Sequence, residues 1–96
     1  MMLKVGIPVE AGNRGIKDES LPKTLMGFVE RAKPEAAYFV AENGQRTAFF
    51  VFDMKDPTEI PPLVEPFMMN LNASVSLQPA MNIEDMQAGV QKAMKG

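Results

Sequence analysis

The clearest pattern in this chain is a pair of apolar runs on either side of Asn43-Gly44. A two-residue loop of this composition predicts a type I′ hairpin, because both central residues of that turn need positive φ. The predicted register pairs Tyr38 with Phe49 on one face of the hairpin and Phe39 with Ala48 on the other. Both faces then carry large apolar side chains, so we expect each face to be covered.

Alternating apolar and polar positions predict two further strands, over residues 2–9 and 73–78. Apolar residues at helical spacing predict one helix that starts at a Ser20 cap and ends at position 33, and another over about 60–69. The start of the second helix is marked by the capping sequence at positions 56–59, and a bend is expected near Pro66.

Two more segments complete the pattern. Residues 10–19 are rich in glycine, asparagine and charged residues, and they are predicted to form a loop. Asn82 is a suitable cap for a last helix, in which four apolar residues are expected to face inward: Ile83, Met86, Val90 and Met94.

The predicted element order is β-α-β-β-α-β-α in a single domain that covers residues 1–96. A right-handed crossover combined with an antiparallel hairpin gives an α+β fold of the ferredoxin-like βαββαβ type with an extra C-terminal helix. Its four-stranded antiparallel sheet would have helices on one face only.

Composition and charge exclude several classes of chemistry. Ten basic and twelve acidic residues give a net charge of −2, which argues against a nucleic-acid partner. No apolar run could span a bilayer, so no membrane partner and a cytoplasmic location are expected. The absence of cysteine and histidine removes disulfides, thiol or imidazole catalysis and most zinc or haem sites. We therefore expect no cofactor.

The sheet face without helices also needs an explanation. The outer strands place Lys4, Ser74, Ser76 and Gln78 on alternate positions, as in a sheet that faces water. The hairpin is apolar on both sides and does not fit that pattern. Face-to-face packing of two sheets in a homodimer would cover it.

Three stretches carry a resemblance to known proteins: PEAAYF at 34–39, ENGQRTAFFVFDMKDP at 42–57 and VEPFMMNLNA at 64–73. They resemble a family of small uncharacterised bacterial proteins, and the element order resembles the dimeric α+β barrel superfamily. That resemblance implies ferredoxin-like subunits paired sheet to sheet. The superfamily includes cofactor-free monooxygenases, haem-degrading enzymes, isomerases and regulatory ligand-binding domains. Its usual haem ligand has no equivalent in a chain without histidine.

Lys4, Tyr38 and Arg46 are candidate ligand-binding residues because they are polar groups in apolar strands. Lys4 could bind a carboxylate or enolate between the sheets, and Tyr38 could orient a polar substrate or donate a proton. The alternative for Lys4 is a side chain that reaches the rim of the sheet. For Tyr38 it is a half-buried position with a satisfied hydroxyl, and for Arg46 a solvated hairpin end.

Arg14 and Glu65 are the remaining candidates. Arg14 belongs to the glycine-rich basic segment 12–17, which could close over an anionic ligand or could simply be a solvated loop. Glu65 lies beside an apolar helical stripe, where a carboxylate could act as a base, although a solvated position is the ordinary alternative.

Two functions remain open from the sequence. The first is a homodimeric, non-catalytic binding or structural protein for a small, partly apolar ligand. The second is a cofactor-independent enzyme, such as an isomerase or a monooxygenase, that acts on a small acidic or aromatic substrate through Tyr38, Glu65 and Lys4.

Overall fold

The sheet is built around β1 (Met2–Ile7), which pairs with β3 (Gln45–Val51) on one side and with β4 (Ser74–Gln78) on the other. β2 (Ala36–Glu42) pairs with the outer side of β3, so the strand order is β2-β3-β1-β4 and all neighbours are antiparallel. The computed structural model describes all residues, 1–96. The four-stranded antiparallel sheet predicted from the sequence is confirmed.

The hairpin forms as its turn chemistry predicts. Asn43 and Gly44 have φ values of 54° and 75°, the two positive values that a type I′ turn requires. The resulting register pairs Tyr38 with Phe49 and Phe39 with Ala48. The expectation of large apolar side chains on both faces of this hairpin is therefore confirmed.

Four helices accompany the sheet: α1 (Val9–Lys17), α2 (Ser20–Ala32), α3 (Ile60–Leu71) and α4 (Ile83–Met94). The α+β class and the element order are consistent with a ferredoxin-like fold to which α1 and α4 are added. No helix combines the length and the apolar character needed to cross a membrane.

The core lies between one face of the sheet and the helices α2 and α3. The Phe28 ring of α2 is its centre, with its centroid 4.5 Å from that of Phe50 and 5.4 Å from those of Phe52 and Phe67. Leu3, like Phe50, is fully buried. Because side chains alternate along strands, this core takes every second residue of β1 and β3 and leaves the others on the opposite face.

The predicted loop at 10–19 is wrong, because Val9–Lys17 forms α1. Glu10 in the first turn and the bases Arg14 and Lys17 in the last turn suit the helix dipole. Glycine, which disfavours helices in isolation, is used here for close packing. A Cβ on Gly15 would lie 2.9 Å from the Leu21 Cβ, so only glycine lets α1 approach α2 this closely.

Two boundaries near α1 and α2 also differ from the prediction. β1 ends at Ile7, and Val9 is the first residue of α1 rather than the end of the strand. Ser20 is the first residue of α2 and not its cap. Its backbone N–H donates to the Asp18 carboxylate at 2.9 Å, while Glu19 precedes the helix with a φ of 67°.

The capping sequence before α3 is confirmed, since the Asp56 side chain accepts from the Thr58 N–H and Glu59 completes a capping box. A 3₁₀ turn, Pro57–Glu59, leads into α3. The helix continues past Pro66 and ends at Leu71, where Asn72 adopts a φ of 50°.

The last helix begins at its predicted cap, because the Asn82 side chain accepts from the Asp85 N–H. Its predicted inward orientation is wrong. Every residue of α4 is exposed, including the four apolar ones: Ile83, Met86, Val90 and Met94. The sequence stripe is real, but nothing in the same chain packs against it.

Candidate functional site on the open face of the sheet

The face of the sheet opposite the core carries the polar candidates, and we call it the open face. It comprises alternate residues of the four strands, namely Met2, Lys4, Gly6, Ala36, Tyr38, Val40, Glu42, Gln45, Thr47, Phe49, Val51, Ser74, Ser76 and Gln78. Its β4 side is polar and its β2 side is mainly apolar.

One row of residues crosses all four strands of the open face. Ser76 pairs with Lys4, Lys4 with Phe49, and Phe49 with Tyr38. The row therefore passes from a hydroxyl through an ammonium group to two aromatic rings. The Lys4 Nζ lies 5.7 Å from the centroid of the Phe49 ring, within cation–π range.

Lys4 also forms an ion pair with Glu42, whose Oε1 accepts from Nζ at 2.5 Å. An ammonium group has three N–H donors, so this contact leaves donors for another acceptor. Both side chains are partly exposed, which leaves the pair accessible from the open face.

A shallow cavity of about 290 Å³ lies beside this ion pair. Polar side chains dominate its walls: Lys4, Glu42, Gln45, Thr47, Ser74 and Ser76. Gly6 also lines the cavity, and a Cβ at that position would lie 2.9 Å from the Ser74 Oγ. The absence of a side chain at Gly6 thus leaves room for the Ser74 hydroxyl in the wall of the cavity.

The apolar half of the open face is unusually accessible. Tyr38 is 66% exposed and Val40 is 44% exposed, although both lie in a strand. Such a cluster, next to a polar cavity, is typical of a surface that meets another molecule.

The structure brings together only part of the predicted ligand-binding set. Lys4 and Tyr38 share the open face, as expected. Arg46 lies on the opposite face, where its Nη2 donates to the Asn13 Oδ1 at 3.2 Å and its guanidinium lies against Gly12. Arg14 is exposed on α1. Arg14 and Arg46 therefore cannot join Lys4 around one ligand in a single subunit.

The predicted catalytic trio is also divided. Glu65 is exposed on α3, which packs on the core face of the sheet, whereas Lys4 and Tyr38 lie on the open face. The segment 12–17 belongs to α1, so the expected closing loop is absent. The open face is therefore a candidate binding surface that combines one cation with hydroxyl groups and aromatic rings.

Sequence reasoning did not assign Gly6, Glu42 or Ser74 to the site. The registers of β1 against the hairpin and against β4 could have found them, because they place Gly6 between Thr47 and Ser74. These registers depend on pairing between distant segments, which the hairpin alone does not determine.

Two carboxyl groups outside the open face have a lowered pKa. Hydrogen bonds from Ser20 lower the pKa of the Asp18 carboxyl, and hydrogen bonds from Thr58 lower that of Asp56.

A second cavity lies outside the open face. This cleft of about 250 Å³ between α2 and α3 contains Thr24, whose Oγ1 accepts from the Asn70 Nδ2 at 3.2 Å. The side chains include no cluster of three or more acidic residues able to hold a metal ion.

Comparisons of this chain with protein-family models, with curated proteins and with solved structures find no match.

Proposed function

We propose that the protein is a homodimer in which the open faces of two sheets pack together and hold a small, partly apolar molecule between them. The observation that carries this proposal is the exposure of Tyr38 and Val40 on a sheet face that no helix covers. Burial of apolar surface drives association, and a second copy offers the same surface.

The dimer would convert the shallow cavity into an enclosed one. Stacked sheets lie about 10 Å apart, and their side chains fill most of that space. Gly6 and the small hydroxyl of Ser74 fill less of it, so room remains beside Lys4. The enclosed space is where we place the ligand.

The chemistry of the walls defines the ligand class. The free N–H donors of Lys4 and the hydroxyls of Ser74 and Ser76 suit a carboxylate or a similar hydrogen-bond acceptor. The rings of Phe49 and Tyr38 in the adjoining positions suit an apolar or aromatic body. The ligand is a small aromatic or aliphatic acid.

A binding role is favoured over catalysis because Glu65, the proposed base, lies on the core side of the sheet. The dimeric α+β barrel superfamily, which the element order resembles, includes regulatory ligand-binding domains as well as enzymes, so the resemblance is compatible with a binding role.

Sedimentation equilibrium tests the sheet pairing. The wild-type protein should be a dimer, and Tyr38→Asp should weaken its association by about tenfold or more, because a charge would enter the interface. Met69→Asp is the matched control, since Met69 is also mostly exposed, at 78%, but lies on α3. A monomeric wild-type protein, or equal effects of both substitutions, would contradict the proposed pairing.

Fluorescence titration with anilinonaphthalene sulfonate, an aromatic anion, tests the cavity. Lys4→Met should weaken its binding by removing the cation, and Gly6→Val should do so by displacing the Ser74 hydroxyl from the cavity wall. Lys17→Met removes an exposed charge on α1 and should leave binding unchanged. If all three variants bind the probe like the wild-type protein, the cavity is not the ligand site.

A further inference from the structure

Helix α4 is separate from the rest of the molecule. All twelve of its residues are exposed, and the molecule extends 54 Å along its longest axis. The Cα radius of gyration is 15.5 Å. A compact chain of this length would have a value of about 12.5 Å. α4 therefore projects away from the sheet and from α1–α3.

The sequence of α4 is nevertheless that of a packed helix. Ile83, Met86, Val90 and Met94 recur at spacings of three and four residues and form one stripe along the helix. Ile83 and Met94, at its two ends, are 72% and 76% exposed. An isolated helix of this length is only marginally stable in water, so its stability depends on packing of that stripe.

A matching apolar groove lies at the opposite edge of the sheet, between α2 and β2. Its volume is about 350 Å³, and its walls include Leu21 and Leu25 from α2 and Phe39 and Ala41 from β2. Phe39 is 61% exposed although it points to the core face, because the helix layer does not extend over β2. We call this surface the α2/β2 groove.

The groove and the helix also match in charge. Arg46 is the only charged residue in the walls of the α2/β2 groove, and it pairs with Ala41 near the hairpin end. The first turn of α4 carries Glu84 and Asp85. A helix seated with its apolar stripe along Phe39 and its first turn beside Arg46 would bring Glu84, on the flank of the stripe, towards the guanidinium. Asp85 stays in the helix cap with Asn82.

The groove of the same subunit is out of reach of α4. β4 and β2 are the two edges of the sheet, about 14 Å apart across three strand spacings. The link from Gln78 to Ile83 spans about 17 Å when fully extended. This length covers the distance between the two edges. It does not cover the further distance past residues 52–59 and along the strands to Arg46, which lies at the end of the sheet opposite Gln78.

The groove of a second copy is within reach if two sheets cross near a right angle, a common packing. A two-fold axis along the diagonal from the Ala36 corner to the Ser74 corner brings Gln78 of one copy over the hairpin end of β2 in the other. The sheets are about 10 Å apart there and β2 is an edge strand, so the 17 Å link has to cross this gap and pass around that edge to the groove on the core face.

We infer that α4 is an exchanged arm that occupies the α2/β2 groove of a second copy of this chain. The inference rests on the proposed dimer and adds its second contact. Four strands give the open face a flat footprint of about 400 Å², whereas a stable interface buries about 800 Å² on each partner. Two exchanged helices enlarge this small sheet contact and shield the exposed edge strand β2.

Disulfide crosslinking tests the exchange in the full-length chain, which contains no cysteine. Two single-cysteine variants, Met86→Cys in the first turn of the stripe and Ala41→Cys in the groove, are mixed under mild oxidation, with an affinity tag on one. The expected product is a covalent dimer of one tagged and one untagged chain. Ala88→Cys, on the opposite side of α4, is the matched control and should crosslink poorly with Ala41→Cys.

Each outcome separates this inference from the proposed sheet pairing. Efficient crosslinking of the stripe cysteine, but not of the control, supports the exchange. A sedimenting dimer in which Met86→Cys and Ala41→Cys fail to crosslink overturns the exchange and leaves the sheet pairing intact. Equal crosslinking by Ala88→Cys also overturns it. In a chain with both Met86→Cys and Ala41→Cys, an intramolecular disulfide shows that α4 packs on its own subunit and overturns it too.

Discussion

Lys4 and Glu42 form an ion pair that joins β1 to β2 across the intervening strand β3. The two side chains are 42% and 36% exposed, so water screens the attraction between them. Ion pairs of this kind contribute about 0–1 kcal/mol to stability. The main consequence of this pair is to hold an ammonium group over Phe49 in the centre of the open face.

Glu42→Gln should therefore lower the free energy of unfolding by less than about 1 kcal/mol, because the pair is screened by solvent. Urea denaturation of the wild-type and variant proteins measures this change. Glu65→Gln, at an exposed position on α3 without an ion pair, is the control. A loss of several kcal/mol for Glu42→Gln would mean that the pair is part of the structural core.

The aromatic cluster should determine most of the stability of the sheet–helix interface. Phe50→Ala is expected to cost about 3–5 kcal/mol, because Phe50 is fully buried against Phe28 and leaves a cavity. Met69→Ala, on an exposed part of α3, should change stability by no more than about 0.5 kcal/mol. Thermal and urea unfolding give both values, and similar losses would contradict the assignment of the core.

Two glycines should respond in opposite ways to alanine. Gly15→Ala should destabilise the protein by about 1–3 kcal/mol, because its Cβ would lie 2.9 Å from the Leu21 Cβ and 3.0 Å from the Leu71 Cδ2. Gly27→Ala, in an exposed part of α2 with nothing within 4 Å, should stabilise it by about 0.5–1 kcal/mol. If Gly15→Ala stabilises the protein as well, α1 does not pack closely on α2.

Asp56 should contribute stability in a pH-dependent way. Hydrogen bonds from the Thr58 hydroxyl and N–H hold the pKa of its carboxyl below the ordinary value of 3.8. A lowered pKa in the folded protein means that the contribution is present above pH 3.8 and is lost as the pH falls through the folded value.

The stability difference between the wild-type protein and Asp56→Ala should therefore be constant near neutral pH and disappear in strong acid. Urea unfolding at a series of pH values measures it. Asp53→Ala, which removes an exposed carboxylate, accounts for the change in net charge. A difference that persists below the folded pKa of Asp56 would show that the side chain acts by another route.

The local features of this fold follow from short-range signals in the sequence. Asn43-Gly44 determined the hairpin and its register, because only a turn with two positive φ values joins strands at that length. The caps Asp56 and Asn82 determined where helices begin, because a short side chain there satisfies free N–H groups. Together with these signals, alternation and helical periodicity predicted the four strands in chain order and the helices α2, α3 and α4.

Features that depend on contacts between distant segments are set by the packing of the folded chain. The glycines of residues 10–19, Gly15 among them, indicate a loop. In the structure Gly15 lies in a helix, because its lack of a side chain allows close packing against Leu21 and Leu71. Arg46 and Lys4 were grouped as cations, but the pairing of β1 with β3 places them on opposite faces of the sheet. The stripe of α4 predicted burial without naming a partner. Periodicity reports that a face is apolar, whereas what covers that face is decided by the folded surfaces around it.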